Sequence, residues 1–150
     1  RRSDYVGDDK LINYSYVHST VKKNVGKIGV LLSLKTTKTK NELLELGKQL
    51  AMHIAASSPL AIDKKGLDQS ILKKEKEIIA EQLKNSGKDS KIIDKIASGK
   101  LNKFISENTL LNQEWIMDPK KKVTDVLKEA ANKGKIEIIK FVRFKVGEGI

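Results

Sequence analysis

Apolar and polar positions alternate along residues 11–18: Ile12, Tyr14, Tyr16 and His18 fall on one side, Asn13, Ser15 and Val17 on the other. A period of two marks a half-buried strand. After the turn-forming Lys22-Lys23-Asn24-Val25-Gly26, residues 28–35 are nearly continuous in apolar side chains, as expected of a central strand. Together the two predict an antiparallel hairpin. Residues 136–146 alternate again, which predicts a third strand with Ile138, Val142, Phe144 and Val146 on one face and Glu137, Arg143 and Lys145 on the other. Because that strand lies at the far end, the sheet must draw both ends of the chain together.

Between the strands the period becomes helical. Thr39 and Glu42 have capping-box spacing, and Leu43, Leu46, Gly47, Leu50 and Ile54 then share one face. This helix should stop at Ser57-Ser58-Pro59, because proline pushes the residue before it out of the helical region. A second run starts near Asp68 and carries Ile71, Leu72, Glu75, Ile78, Ile79, Gln82 and Leu83 at three- and four-residue steps, until Asn85-Ser86-Gly87-Lys88 breaks it. A third begins at Asp89 or Ser90, with Ile92, Ile93, Ile96, Leu101, Phe104 and Ile105 on its stripe. Each arm is on the order of 25 Å long at 1.5 Å per residue. Lys73, Lys74, Lys76, Glu77, Lys84, Lys91 and Lys95 fill the other positions. A narrow apolar seam between charged outer faces predicts an antiparallel αα-hairpin projecting from the body over roughly residues 66–106. A short helix over residues 124–133 follows an extended stretch before Pro119. The fold class is α+β: a three-stranded antiparallel sheet packed with helices, plus the projecting hairpin, in one domain over residues 1–150.

Composition adds the charge. Of 150 residues, 39% are hydrophobic and 33% charged, as in a soluble globular domain. The longest apolar run is interrupted by Gly29 and Ser33, too short to span a membrane, and no apolar leader routes the chain to secretion. With no cysteine there are no disulfides and no thiolate ligands or nucleophiles. Thirty Lys+Arg against 19 Asp+Glu leave a net charge of +11, which invites a nucleic-acid partner. All but Arg1, Arg2 and Arg143 of those cations are lysine, however, and aromatics are 5% of the chain. Base readers lean on arginine forks and aromatic stacking, so a solvated lysine coat fits better.

Catalytic chemistry finds little footing. His18 and His53, the two histidines, lack a partner at metal-ligand spacing. Five glycine–lysine pairs lack the upstream glycine and following Ser/Thr of a phosphate loop, and Gly147-Glu148-Gly149 lacks the third glycine of a dinucleotide site. Lys120-Lys121-Lys122 reads as a solvated loop. No catalytic residue, metal site or cofactor is expected.

Five blocks together resemble one family. Ala51-Met52-His53-Ile54-Ala55-Ala56-Ser57-Ser58-Pro59 resembles the signature helix end in the C-terminal half of elongation factor Ts. Lys27-Ile28-Gly29-Val30-Leu31 after Tyr16-Val17-His18 is similar to its strand pair, and Ser98-Gly99-Lys100-Leu101-Asn102-Lys103-Phe104 to its hairpin return. Leu110-Leu111-Asn112-Gln113-Glu114-Trp115-Ile116-Met117-Asp118 and the run from Phe141 to Ile150 are similar to its closing segments.

The resemblance implies a non-catalytic guanine-nucleotide exchange factor that binds elongation factor Tu, GDP-bound or nucleotide-free, and promotes GDP release in the cytoplasm. In that family a ubiquitin-associated-like N-terminal domain precedes a core of two similar half-sheets, the second bearing the hairpin. The factor prefers the nucleotide-free partner, so by reciprocity each ligand weakens the other. The family's wedge motif in the first half, Thr-Asp-Phe-Val, does not occur here, and Arg1-Arg2 resembles the double arginine ahead of the second half. The expectation is therefore the C-terminal, dimerisation half, without the N-terminal domain or the first half-core, supplying docking to the third domain of Tu rather than the wedge. By motif match the docking residues are Tyr16, His18, Ile28, Gly29, Val30, Arg143 and Phe144. Plain sheet packing competes as the role of each, most evenly for Ile28 and Val30. His18 leads because a histidine on the apolar face of an edge-like strand needs a polar partner, whereas His53 reads as structural. No membrane or specific nucleic-acid partner is implied, and a homodimer through a free sheet edge or the hairpin is left open. The alternative is a lysine-rich RNA- or ribosome-binding domain without exchange activity.

Overall fold

The computed structural model describes residues 3–6, 11–84 and 89–148; residues 1–2, 7–10, 85–88, where the break between the two helical runs is expected, and 149–150 lie outside them. Its elements run β1 (Ile12–Lys22), β2 (Val25–Thr36), α1 (Leu44–Ser57), α2 (Gln69–Lys84), α3 (Ser90–Asn108), β3 (Glu114–Trp115), β4 (Asp118–Lys122), α4 (Val123–Ala131) and β5 (Ile136–Lys145). They form two compact units, one running to Ser58 and resuming at Glu114, the other Pro59–Gln113.

In the first unit β2 is the middle strand of an antiparallel β1-β2-β5 sheet, as its apolar run requires. Every second residue of β2 faces α1: Val30, Leu32 and Leu34 are buried there, beside Tyr14 and Ile12 of β1 and Phe141 and Ile138 of β5. Of the expected stripe, Leu43 just ahead of α1 and Gly47, Leu50 and Ile54 within it are buried, with Ala51 and Ala55, while Leu46 is half-buried. Gly47 is required where it stands: a Cβ would lie 2.5 Å from the Tyr14 ring. The Tyr14 hydroxyl donates to the Lys40 carbonyl at 3.1 Å, and burial raises its pKa.

Thr39 and Glu42 close the expected capping box just ahead of α1. The Glu42 N–H donates to Thr39 Oγ1 (3.3 Å) and the Thr39 N–H to Glu42 Oε2 (2.7 Å). At the other end Ser58 takes the left-handed conformation (φ 48°) and donates its N–H to the Ile54 carbonyl at 3.1 Å, before Pro59 stops the helix.

Two expectations for this unit need correction. Ile138 stands opposite Leu34 but Lys140 opposite Ser33, so Ile139 is an extra residue in β5. This bulge reverses the alternation. Ile138 shares the α1 face with Phe141, Arg143 and Lys145, while Val142 and Phe144 lie on the opposite face with Glu137. The lysine run is the second correction. Lys120-Lys121-Lys122 is part of β4, and Lys121 Nζ holds Glu129 Oε2 of α4 at 2.7 Å, a bond that raises the lysine's pKa. α4 begins at Val123 because the Asp125 carboxylate accepts the Lys122 N–H at 3.1 Å, and it ends where Asn132 turns to φ 55°.

The second unit is closed at its base by a bridge between Ala61 and Thr109, with the Leu60 N–H on the Asn108 carbonyl and the Leu110 N–H on the Ala61 carbonyl, both 2.9 Å. Ala61, Leu67, Leu72 and Ile105 form its core, with Leu101 and Phe104 against them. Leu72 shares that cluster with Ile105, while farther along α2 Gln82 accepts from Lys100 at 2.6 Å. Partners recede along α3 as they advance along α2, so the two helices run antiparallel. The seam is narrower than the stripes predict. Ile78 and Ile92 are each 51% exposed, and only Leu72, Ile79, Leu83 and Ile105 of the two helices are buried.

Candidate docking surface

The β1–β2 register sorts the expected docking residues onto two faces. Tyr16, Val30 and Arg143 form one cross-strand row, and His18, Ile28 and Lys145 the next, on the face that α1 covers farther along. Gly29 and Phe144 share a row with Val17 on the opposite face.

On the first face the residues differ in what holds them. Val30 is 2% exposed and belongs to the core. Arg143 is tethered: its Nε donates to the Ala55 carbonyl at the end of α1 (3.3 Å), and Nη1 to both carboxylate oxygens of Glu148 (3.2 and 3.1 Å). Beyond the helix end, Tyr16 and Ile28 are half-buried and His18 is exposed. The polar partner expected for His18 in a docked protein is supplied here within its own strand. Tyr16 Oη and His18 Nδ1 are 3.0 Å apart, with ring centroids at 6.0 Å. β1 is an outer strand, so among the described residues this pair stands on an edge whose backbone pairs on one side only.

The face turned from α1 carries a groove of about 340 Å³ lined by Val17, Gly29, Leu31, Val142 and Phe144, with Ser3 and Asp4 at its wall. Gly29 leaves it open, since among the described residues nothing lies within 4 Å of where its Cβ would be. Lys140 Nζ anchors residues 3–6 beside it, at 2.8 Å from Asp4 Oδ1 and 3.0 Å from the Tyr5 carbonyl. That bond holds the Asp4 carboxyl below the usual carboxylate range. Val17, Leu31 and Val142 are not among the motif-derived residues; their place next in sequence to Tyr16, Val30 and Arg143, hence on the other face, is the signal that could find them.

The remaining candidate, His53, is fully buried in α1. Its ring stacks on Trp115 at 5.2 Å and accepts the Ile116 N–H at Nδ1 (3.4 Å), tying α1 to β3. Among the described residues there is no group of three or more His, Asp or Glu side chains placed to hold a metal, and no helix is long and apolar enough to cross a membrane.

The described sheet thus offers two surfaces, the Tyr16–His18 edge and the groove at Gly29. The profile of the family described as Elongation factor TS matches residues 1–148. The chain belongs to the elongation factor Ts family. It is 41% identical over 152 residues to the elongation factor Ts of Nitrobacter hamburgensis, an alignment taking in all of this chain and 50% of that protein. It is 44% identical over 138 residues to that of Bradyrhizobium sp. (strain ORS 278), covering 91% of this chain and 45% of the relative. To that of Rickettsia massiliae it is 42% identical over 139 residues, again 91% and 45%. The chain spans about half the length of the curated relatives it matches.

Proposed function

We propose that this chain is the docking half of a guanine-nucleotide exchange factor, acting in the cytoplasm on elongation factor Tu without covalent chemistry. The carrying observation is the family match over residues 1–148, in a chain that has the family's second-half order of elements and no Thr-Asp-Phe-Val wedge. The geometry that supports docking is the Tyr16–His18 pair on an outer strand, with Ile28 beside it. The groove at Gly29 and Phe144 is a second available surface. Val30 and Arg143 serve the reading indirectly, by fixing the strand that presents Tyr16.

Mixing the chain with nucleotide-free Tu and with Tu loaded with labelled GDP tests the proposal. The expected outcome is measurable binding and little acceleration of GDP release. Release at the rate of a full-length factor would overturn the division of labour. His18→Ala should weaken binding by about tenfold, ~1.4 kcal/mol, at an unchanged melting temperature. A chain that ignores Tu and binds RNA with a steep salt dependence would instead favour the RNA-binding alternative.

A further inference from the structure

The turn between β1 and β2 and the adjoining end of β5 gather chemistry that the Tyr16–His18 edge does not use. Between residues 11 and 41 the chain has six lysines and neither aspartate nor glutamate. Lys22, Lys23 and Lys27 are exposed at the turn. Lys145 joins them from β5, opposite Ile28, where the Val146 N–H donates to the Lys27 carbonyl at 2.9 Å. Among the described residues none of these four lysines makes an ion pair.

Three valines stand among them: Val21 is 79% exposed, Val146 75% and Val25, directly across from Lys22, 44%. Apolar side chains left this open at a hairpin end gain only when something covers them. Unpaired cations beside them set the charge of the cover. Phosphate ligands fit poorly, since the segment from Ser19 to Lys27 has no arginine to fork onto a base or phosphate and no aromatic to stack. A bilayer interface would call for aromatic or longer aliphatic anchors than valine.

We propose that this lysine–valine tip is a second contact for the protein partner, fitting a surface that carries carboxylates around an apolar centre. The proposal rests on the docking reading above and extends its surface continuously, because the Thr20–Gly26 pair follows the His18–Ile28 pair along the hairpin. The lysines act on the rate of encounter and the valines on the lifetime of the complex.

Association and dissociation rates of the full chain with nucleotide-free elongation factor Tu, at low and high salt, test it. A Lys22→Glu/Lys23→Glu variant should associate about tenfold more slowly at low salt, with a flatter salt dependence. A Val21→Ser/Val25→Ser variant should leave association unchanged and dissociate several-fold faster. Melting curves should match wild type for both, as expected of exposed positions. If wild type binds and neither variant changes either rate, the tip proposal fails and the docking reading stands; if wild type does not bind, the docking reading itself fails and takes the tip with it. Tighter binding to a short single-stranded RNA or to phosphatidylglycerol vesicles than to Tu, lost in the same variants, would overturn the proposal in favour of a phosphate ligand.

Discussion

Adjacent residues of β2 serve opposite purposes on the two faces of the sheet. Leu32 and Leu34, turned toward α1, are wholly buried, and Gly47 brings the helix backbone onto the Tyr14 ring. Leu31 and Gly29, turned the other way, line a groove, and no described atom lies within 4 Å of where the glycine's side chain would start. Both glycines lack a side chain, but one omission closes a contact and the other leaves an opening. The difference teaches that residue type alone does not reveal which face holds the fold and which is available to a partner.

Urea unfolding of paired variants can break this contrast. Leu32→Ala should cost about 2–5 kcal/mol, and Leu31→Ala about 1 kcal/mol. Equal losses would mean the groove face is as much a part of the core as the helix face. The glycines give a smaller, sharper version. Gly47→Ala should cost about 1–3 kcal/mol by forcing the helix off Tyr14, whereas Gly29→Ala should stay within about 0.5 kcal/mol of wild type. A Gly47→Ala chain as stable as wild type would show that the helix can shift without penalty.

The smallest expected effect lies in the capping box that leads into α1. The Thr39 N–H, followed by its hydroxyl, holds the Glu42 carboxyl below the usual carboxylate range. A depressed pKa in the folded state gives stability that is complete above the unfolded value and lost as pH falls through the folded one. The melting temperature should therefore fall more steeply between about pH 6 and pH 3 for wild type than for Glu42→Gln. Parallel acid limbs would remove Glu42 from the pH dependence.

Much of the fold was legible because it depends on short-range pattern. The apolar run of β2, the alternation of β1, the box at Thr39 and Glu42 and the stop at Ser58-Pro59 all act within a few residues. The bulge at Ile139 was not legible. An extra residue changes no local preference, yet it exchanges the faces of Val142 and Arg143 relative to Ile138. Ile78 and Ile92 show the same limit, since helical spacing says which residues align but not how wide a seam the partner helix covers.

The order of the three long strands and four helices, the central place of β2, the lysine-dominated charge and the family reside in residue identity and spacing along the chain, whereas the short β3–β4 pair does not. Tertiary structure alone ties Arg143 to the Ala55 carbonyl and stacks His53 on Trp115. Those roles depend on which distant backbone arrives beside a side chain, and a single chain's spacing does not carry that information.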